Sequence, residues 1–222
     1  MLSERWTDPS IVEEFAKREP DHRLRALLDA EVDPSRLRVL DLGCAAGRNT
    51  ILLAERGCDV HATDLSPAMI EETRRRLASI VGEAEALSRV RQLPMDDLSP
   101  YASNDFDLVV ALGIYHQAYS LDEWKRAVAE TERVLRKGSR LLVAHFAPGT
   151  DLSGKHGHPV EGCEALYEVR DGGFAILLSM ERLDAMMAAH GLTPVVPTET
   201  VTRPREGGGL RVTVNALFRK TN

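Results

Sequence analysis

The sequence has little that would place the protein in a membrane or outside the cell. No apolar run in its 222 residues approaches the roughly 18 to 20 residues that span a bilayer. The first ten residues, MLSERWTDPS, lack the apolar core of a signal peptide, so we expect a cytoplasmic protein without a membrane partner. Cysteine is also scarce: Cys44, Cys58 and Cys163 are odd in number and widely spaced, which argues against a disulfide framework.

The sequence also has fewer basic than acidic residues, 28 against 34. The net charge is −6, and the sequence has no basic cluster of the kind that binds duplex nucleic acid. The longest basic run, Arg74–Arg76, follows Glu71 and Glu72 on a predicted helix, where local ion pairs are expected. We therefore expect a small-molecule substrate, no nucleic-acid partner, and either a monomer or a homodimer.

Strand and helix patterns alternate through the middle of the chain. Short β-rich apolar runs predict strands, and segments bounded by Ser-Pro, capping-box or glycine signals predict the helices between them. The predicted strands are 37–42, 59–65, a weak one at RVRQLPM, 106–112 and 140–146; the predicted helices are 47–57, Ser66 to about Ser79, and 120–138, which Gly138 closes. This order predicts an α/β fold with a doubly wound, mostly parallel sheet and helices on both faces.

Both ends of the chain depart from this alternation. Two helices are expected within residues 8–32, so residues 1–36 form a predicted N-terminal helical cap. At the other end, a predicted helix at 179–191 precedes the strands TPVVPTETV and 210–219. The turn between these strands is too short for a helix, so they are expected to pair as an antiparallel hairpin. We expect a single domain over 37–222, with 147–178 as a lid or acceptor segment.

The turn after the first predicted strand, in VLDLGCAAGRNT (39–50), is the expected ligand site. Ligands of open α/β sheets bind beyond the carboxyl ends of the strands, at such a turn. Gly43, Ala45 and Gly47 are small where the backbone must meet a ligand, and the helix that follows presents free N–H groups. A dinucleotide-binding turn needs a glycine where Arg48 stands, which disfavours a nicotinamide-dependent reductase.

Three acids end successive predicted strands. A carboxylate at Asp41 repels pyrophosphate and favours an amine, Asp64 is placed to accept hydrogen bonds from ribose hydroxyls, and Asp96 is placed to receive an adenine amino group. A ligand with an amine, a ribose and an adenine but no phosphate is S-adenosylmethionine, the predicted cofactor. The structural alternatives are that Asp41 caps the next helix, that Asp64 only ends a strand, and that Asp97 is only solvated.

The segments VLDLGCAAG, HATDLS, LPMDDL and FDLVVALGIYH resemble, in order and spacing, the motifs of class I S-adenosylmethionine-dependent methyltransferases. The resemblance covers residues 37–146 and implies a Rossmann-like, seven-stranded sheet with an antiparallel final strand. It implies that Asp41 and Gly43 lie near the methionine part, Asp64 on the ribose and Asp96 near the adenine. Ala45 departs from the pattern, because the family more often has glycine there. The cofactor residues expected are Asp41, Gly43, Cys44, Ala45, Gly47, Asp64, Leu65, Met69, Asp96, Asp97, Ala111 and Leu112.

A narrower likeness concerns the stretch GRNTILLAERGCDVHATD, which resembles the tellurite-resistance methyltransferase group. The alternating strand LRVTVNALFRK near the end of the chain is similar too, whereas the N-terminal segment is longer and differently composed. This likeness points to small, soft methyl acceptors.

The second half of the site is less well marked. Tyr115 and His116 follow the fourth predicted strand, where the methyl group should point, and neutral His116 is the first candidate for a general base. The alternative is that both residues pack over the cofactor and move no proton. Trp6, Phe15 and His145 are the expected substrate-pocket residues, with the same alternative for His145.

The Gly-rich loop 149–163 is expected to form a lid or an acceptor loop. It contains His156, His158 and Cys163, but this spacing matches no common zinc site and lacks a clear fourth ligand, so we expect no metal. The function predicted is methyl transfer to a nitrogen, oxygen or sulfur atom of a small molecule. A non-catalytic S-adenosylmethionine-binding regulatory module is the alternative from another class.

Overall fold

The computed structural model describes residues 4–152, 155–169, 173–205 and 208–221. The helices are α1 Pro9–Lys17, α2 His22–Asp29, α3 Arg48–Glu55, α4 Pro67–Val81, α5 Glu83–Arg89, α6 Leu121–Val134 and α7 Met180–Ala188, with short 3-10 turns at Glu4–Thr7, Pro34–Arg36 and Tyr115–Gln117. The strands are β1 Arg38–Leu42, β2 Asp59–Asp64, β3 Val90–Gln92, β4 Phe106–Leu112, β5 Leu135–Phe146, β6 Asp151–Leu152, β7 Lys155–His156, β8 His158–Pro159, β9 Leu166–Val169, β10 Gly173–Ile176, β11 Leu192–Pro194, β12 Glu199–Pro204 and β13 Leu210–Lys220.

One sheet of eight strands organises the molecule, in the order β11-β13-β5-β4-β1-β2-β3, with β12 also paired to β13. Strands β1 to β5 are mutually parallel, while β13 runs antiparallel to β5, β11 and β12. Parallel strands bring their carboxyl ends to one edge. The predicted doubly wound, mostly parallel sheet with an antiparallel final strand is confirmed.

The core lies on both faces of this sheet. Along β4, Leu108 and Val110 pack in one hydrophobic cluster and Val109 and Ala111 in the other, and all four are fully buried. Successive side chains of a strand point to opposite faces. The continuous apolar run FDLVVAL therefore reflects helices packed on both sides, as expected for a buried parallel strand.

Two predicted boundaries are wrong. Helix α6 ends at Val134 and not at Gly138, because Leu135 begins β5 opposite Phe106, and Gly138 lies inside that strand with a φ of +81°. Leu135 matched the helical spacing because an apolar residue at this position is buried whether it ends a helix or begins a strand. The segment TPVVPTETV is not one strand but the ends of β11 and β12, since Pro197 lies between them and has no N–H for a ladder.

Two further parts were not anticipated in detail. Helix α5 starts after Gly82, at a φ of +88°, and fills the connection before β3. The segment 147–178 contains a two-stranded sheet, β6-β7, and a three-stranded sheet, β10-β9-β8. Within the described residues, no helix is long and apolar enough to cross a membrane.

Candidate active site

A cavity of about 190 Å³, here the first cavity, opens at the carboxyl ends of β1, β2 and β4. Its floor is the turn between β1 and α3, and Trp6 and Phe15 of the N-terminal segment lie in its wall. The predicted cofactor residues in the wall are Gly43, Cys44, Ala45, Asp64, Leu65 and Leu112. The topology therefore brings residues from four separate segments to the place where the turn motif predicted a ligand.

The turn is built around left-handed backbone. Gly43 and Gly47 have φ values of +73° and +82°, and a Cβ on Gly43 would lie 2.8 Å from the side chain of Ile114. Ala45 is also left-handed, with a φ of +47°. This conformation is routine for glycine and costly for alanine, so the one departure from the family motif falls at a position where glycine is easier to accommodate.

Asp64, the last residue of β2, lies in the cavity wall and holds the turn. Its Oδ2 accepts the backbone N–H of Ala45 at 2.9 Å, and its Oδ1 accepts that of Ser66 at 2.9 Å. Burial raises the pKa of this carboxyl, while the backbone hydrogen bonds oppose that rise. Each oxygen retains acceptor capacity, which fits it for a pair of ligand hydroxyls.

Asp41 lies behind the turn and is not in the cavity wall. Its Oδ2 accepts the Thr50 hydroxyl at 2.6 Å, and the residue is only 2% exposed. Burial raises the pKa of Asp41 to about 6, with the Thr50 hydrogen bond acting against that rise. The charge of Asp41 therefore acts on the turn from the side away from the cavity. In this position Asp41 does not contact a ligand in the cavity directly.

At the other end of the first cavity the wall is apolar. Leu65, Leu93, Pro94 and Met95 lie there, and they form a non-polar surface suited to an aromatic base. The expectation that Asp96 faces the adenine does not match its position, because its carboxylate is turned to Arg126 at 2.9 Å outside the wall.

Asp97 and two predicted apolar cofactor residues also lie outside the wall. Asp97 accepts the backbone N–H of Ser99 at 3.0 Å, in agreement with the alternative that it is a solvated turn residue. Met69 and Ala111 are buried behind the wall, at 1% and 0% exposure, so they support it without reaching the cavity. Gly47 is likewise behind it and packs against Thr73.

Cys44 contributes its small side chain to the wall. Burial and the nearby carboxylates of Asp64 and Asp41 raise the pKa of its thiol well above the usual value. The thiol therefore stays protonated near neutral pH, which is the opposite of what a nucleophilic cysteine requires.

A second cavity of about 350 Å³ adjoins the first and shares with it Trp6, Phe15, Arg48, Leu112, Gly113, Gln117 and Tyr119. His116 lies in the wall of this second cavity, its ring 4.2 Å from that of Phe146 between centroids. Burial lowers the pKa of His116 well below the usual value, and His145, Arg211 and Arg205 lower it further. The ring is therefore neutral at physiological pH.

The polar contacts of His116 are few. The Gln117 amide nitrogen lies 3.1 Å from its Nε2, and its Nδ1 is buried with no hydrogen-bond partner among the described residues. A neutral imidazole in a cavity wall is able to accept a proton, but a strongly depressed pKa makes it a weak base.

Tyr115 and His145 were predicted at the site, and the structure places both in the core. The Tyr115 hydroxyl lies 2.7 Å from Thr131 Oγ1, and burial raises its pKa further above 10. His145 Nε2 accepts the Trp124 indole N–H at 3.1 Å, Nδ1 lies 2.8 Å from the Phe146 carbonyl, and burial lowers the pKa to about 4. Neither residue lines either cavity, because both side chains are buried in the core, at 1% and 0% exposure.

The N-terminal residues Trp6 and Phe15 lie in both cavity walls, with ring centroids 5.5 Å apart in an edge-to-face arrangement. The Ser66 hydroxyl donates to the Trp6 carbonyl at 2.6 Å, which fixes this segment to the start of α4. The predicted helical segment therefore lies over the site rather than apart from it.

The loop 149–163 carries three candidate metal ligands, His156, His158 and Cys163. The side chain of His156 lies outside the described residues, and His158 and Cys163 are exposed. Among the residues that the structure describes, no group of histidine, cysteine and acidic side chains is arranged to hold a metal ion. The later part of this segment, at Val169 and Gly173–Ala175, does line the second cavity.

Several wall residues were missed from the sequence: Asn49, Glu123, Arg18, Arg48, Arg205 and Arg211. Asn49 accepts the backbone N–H of Asp21 at 3.0 Å, which joins the helical cap to α3. Its place in the GRN stretch was a visible signal. The arginines come from distant segments, and no local pattern marks them.

Comparison with known proteins agrees with this geometry. Residues 40–143 match the family model described as a methyltransferase domain. S-adenosylmethionine is the cofactor of such a domain, and the first cavity fits it, with an apolar end, the Asp64 carboxylate and a backbone turn between them.

The curated relatives that the chain matches are longer proteins. An uncharacterized methyltransferase of Mycobacterium bovis is 38% identical over 104 residues, which are 47% of this chain and 37% of the relative. A demethylmenaquinone methyltransferase of Renibacterium salmoninarum is 33% identical over 130 residues, which are 57% of this chain and 48% of the relative. The chain thus spans less than half the length of these relatives.

A solved structure extends the likeness beyond residues 40–143. The 1,6-didemethyltoxoflavin-N1-methyltransferase of Burkholderia thailandensis, with bound 1,6-didemethyltoxoflavin and S-adenosylhomocysteine, has a TM-score of 0.64 and 25% sequence identity. The match covers 98% of this chain and 81% of that chain. The predictions of a methyltransferase fold and of S-adenosylmethionine as cofactor are confirmed.

Proposed function

We propose that the protein transfers a methyl group from S-adenosylmethionine to a small molecule held in the second cavity. The observation that carries the proposal is the open second cavity, which adjoins the first and shares seven wall residues with it: Trp6, Phe15, Arg48, Leu112, Gly113, Gln117 and Tyr119. A binding-only module has no need of a second chamber beside its cofactor. The solved relative with both a small molecule and S-adenosylhomocysteine bound supports the same arrangement.

The roles of the chain's own residues follow from their positions. Asp64 binds the ribose hydroxyls, the turn from Gly43 to Ala45 meets the methionine part, and Leu65, Leu93 and Met95 pack on the adenine. S-adenosylmethionine, when bound, supplies an electrophilic methyl carbon whose bond to sulfur breaks, with its electron pair leaving on sulfur, as the acceptor lone pair forms the new bond.

The protein's part in the reaction is alignment and exclusion of water. Trp6 and Phe15 cover both cavities, and Leu112 and Gly113 form the boundary between them. Holding two reactants in line replaces a bimolecular encounter by a unimolecular step. Because its pKa is depressed, His116 is a weak base, and it suits an acceptor that loses its proton readily.

The likeness to the tellurite-resistance group remains a prediction about the methyl acceptor. Two predictions about the chain itself also remain: the helical cap over residues 1–36, and the lid or acceptor role of residues 147–178. Val169, Gly173, Phe174 and Ala175 in the wall of the second cavity support an acceptor role for that segment.

Calorimetric titration with S-adenosylhomocysteine and, separately, with NADH tests the cofactor. We expect saturable binding of S-adenosylhomocysteine with one site per chain and no heat from NADH. Binding of NADH without any binding of S-adenosylhomocysteine would contradict the proposal. Methyl transfer is then followed with isotopically labelled S-adenosylmethionine and a panel of small acceptors, where a bound cofactor with no labelled product from any acceptor would favour the binding module.

A further inference from the structure

The second cavity gathers four arginines from segments far apart in the sequence. Arg18 follows α1, Arg48 begins α3, Arg205 follows β12 and Arg211 lies in β13. Its described wall contains no aspartate or glutamate. The chain as a whole carries a net charge of −6, so this concentration of positive charge runs against the average of the protein.

Acidic residues within the protein offset part of this charge: Asp21 and Asp41 act to raise the pKa of Arg48, against the effect of its burial. Arg18 pairs with Glu14 of α1, and the Arg48 Nη1 donates to the Glu19 carbonyl at 3.1 Å. The Arg211 guanidinium lies 5.3 Å from the ring centroid of Phe146, and among the described residues no acid pairs with it.

The electrostatic environment of Arg211 shows the same imbalance. Burial lowers the pKa of Arg211, and the nearby charges of Arg205, Arg18, Arg48 and Arg23 lower it further. Arg203 stands directly across the ladder from Arg211, which adds a like charge on the neighbouring strand. A bound anion would relieve this mutual repulsion.

The rest of the wall defines the body that carries the anion. Trp6, Phe15, Tyr119, Phe146 and Phe174 line the cavity, which gives it flat, apolar surfaces. Guanidinium groups bind carboxylate and phosphate oxygens in paired, charge-assisted hydrogen bonds. A volume of about 350 Å³ is that of a small-molecule site.

We propose that the methyl acceptor is a small anion, a carboxylate or phosphate on an aromatic or otherwise flat apolar body, held by the four arginines of the second cavity. The inference rests on the proposed function, since it names the substrate class of the same site. A cavity of this size holds one small anion and lacks the extended basic surface that a nucleic-acid backbone requires. The acceptor is therefore defined by its charge, a property on which the likeness to the tellurite-resistance group makes no prediction.

The experiment uses the full chain saturated with S-adenosylhomocysteine and measures ligand affinity by ligand-observed NMR titration. The probes are benzoate and phenyl phosphate, with benzamide and phenol as their neutral counterparts. We expect each anion to bind at least about tenfold more tightly than its neutral counterpart, the increment of one charge-assisted hydrogen bond. The stronger of the two anions identifies the group that the arginines prefer.

Arg211→Gln should weaken binding of the preferred anion by about tenfold and leave the neutral probe unchanged. Arg219→Gln is the matched control, because it removes the same charge from an exposed position on β13 outside both cavity walls, and it should change neither affinity. Rising salt should weaken anion binding to the wild type more than to Arg211→Gln.

The outcomes separate the two proposals. Failure of S-adenosylhomocysteine to bind the wild-type chain would contradict the proposed function. Normal S-adenosylhomocysteine affinity with equal or undetectable binding of charged and neutral probes would overturn the anionic acceptor alone. An equal loss of anion affinity in Arg211→Gln and Arg219→Gln would also overturn it, since it would show a long-range effect of net charge rather than a built site.

Discussion

Asp64 accepts the backbone N–H of Ala45 at 2.9 Å, and so the residue that ends β2 holds the turn that follows β1 in its left-handed form. The same carboxylate lies in the cavity wall and is the expected partner of the ribose. We therefore expect folding of the turn and binding of the cofactor to depend on this one side chain, so that their energetics are linked.

Asp64→Asn tests this link. The asparagine side chain has one acceptor oxygen, so one of the two backbone N–H groups, on Ala45 or Ser66, loses its partner. We expect affinity for S-adenosylhomocysteine to fall by about tenfold or more and the free energy of unfolding to fall by about 1–3 kcal/mol. Calorimetry and urea unfolding measure the two effects. Asp97→Asn, outside the wall, is the control, and an unchanged affinity in Asp64→Asn would place the ribose elsewhere.

Ala45→Gly should stabilise the protein. Ala45 has a φ of +47°, where an L side chain is strained and glycine is not. We expect the free energy of unfolding to rise by about 1 kcal/mol, partly offset by the greater freedom of glycine in the unfolded chain. Ala46→Gly is the matched comparison, because Ala46 is buried and has no positive φ, and it should lower stability. A loss of stability in both variants would show that the left-handed strain is not significant.

The pH dependence of stability should carry a contribution from Asp41. Burial raises its pKa from 3.8 to about 6, so the folded protein holds a proton that the unfolded chain releases between these values. Stability therefore falls as the pH rises from about 4 to 6, by on the order of 3 kcal/mol for this group. The cost is absent below pH 3.8 and complete above the folded pKa.

Asp41→Asn isolates that contribution, since its amide oxygen still accepts the Thr50 hydroxyl and carries no charge. We expect the variant to be more stable than the wild type at pH 8 and nearly equal to it at pH 4. Its affinity for S-adenosylhomocysteine should be lower, because the negative charge beneath the turn is lost. Urea unfolding across this pH range gives the difference, and parallel curves for the two proteins would refute the raised pKa.

Tyr115→Phe should affect stability and not turnover. The Tyr115 hydroxyl bonds Thr131 in the core, and Thr131 keeps its bond to the Ala127 carbonyl at 2.9 Å when that hydroxyl is removed. A cost of about 1 kcal/mol is expected for one buried hydrogen bond. Cofactor affinity and turnover with any acceptor found should remain at the wild-type level, and a large drop in turnover would restore Tyr115 to the reacting centre.

Much of the cofactor half of the site was predictable from the sequence because its signals are local. Gly43, Ala45 and Asp64 follow directly from strand patterns, and a parallel sheet must bring the carboxyl ends of β1 and β2 together. Three other predicted site residues line neither cavity, because no local signal fixes the direction of their side chains. Asp96, Tyr115 and His145 lie near strand ends in the sequence, but the direction of each side chain depends on packing that the sequence does not show.

The sequence by itself determined the layered sheet, the turn and the type of cofactor, since periodicity and turn chemistry act over a few residues. Only the tertiary structure decided which side chains face the second cavity. Arg18, Arg48, Arg205 and Arg211 meet there from segments as much as 193 positions apart (211 − 18), and each alone reads as an ordinary solvated cation. Their charge acquires meaning only when folding places them around one small, aromatic-lined space, because electrostatic interaction depends on distance in space and not along the chain.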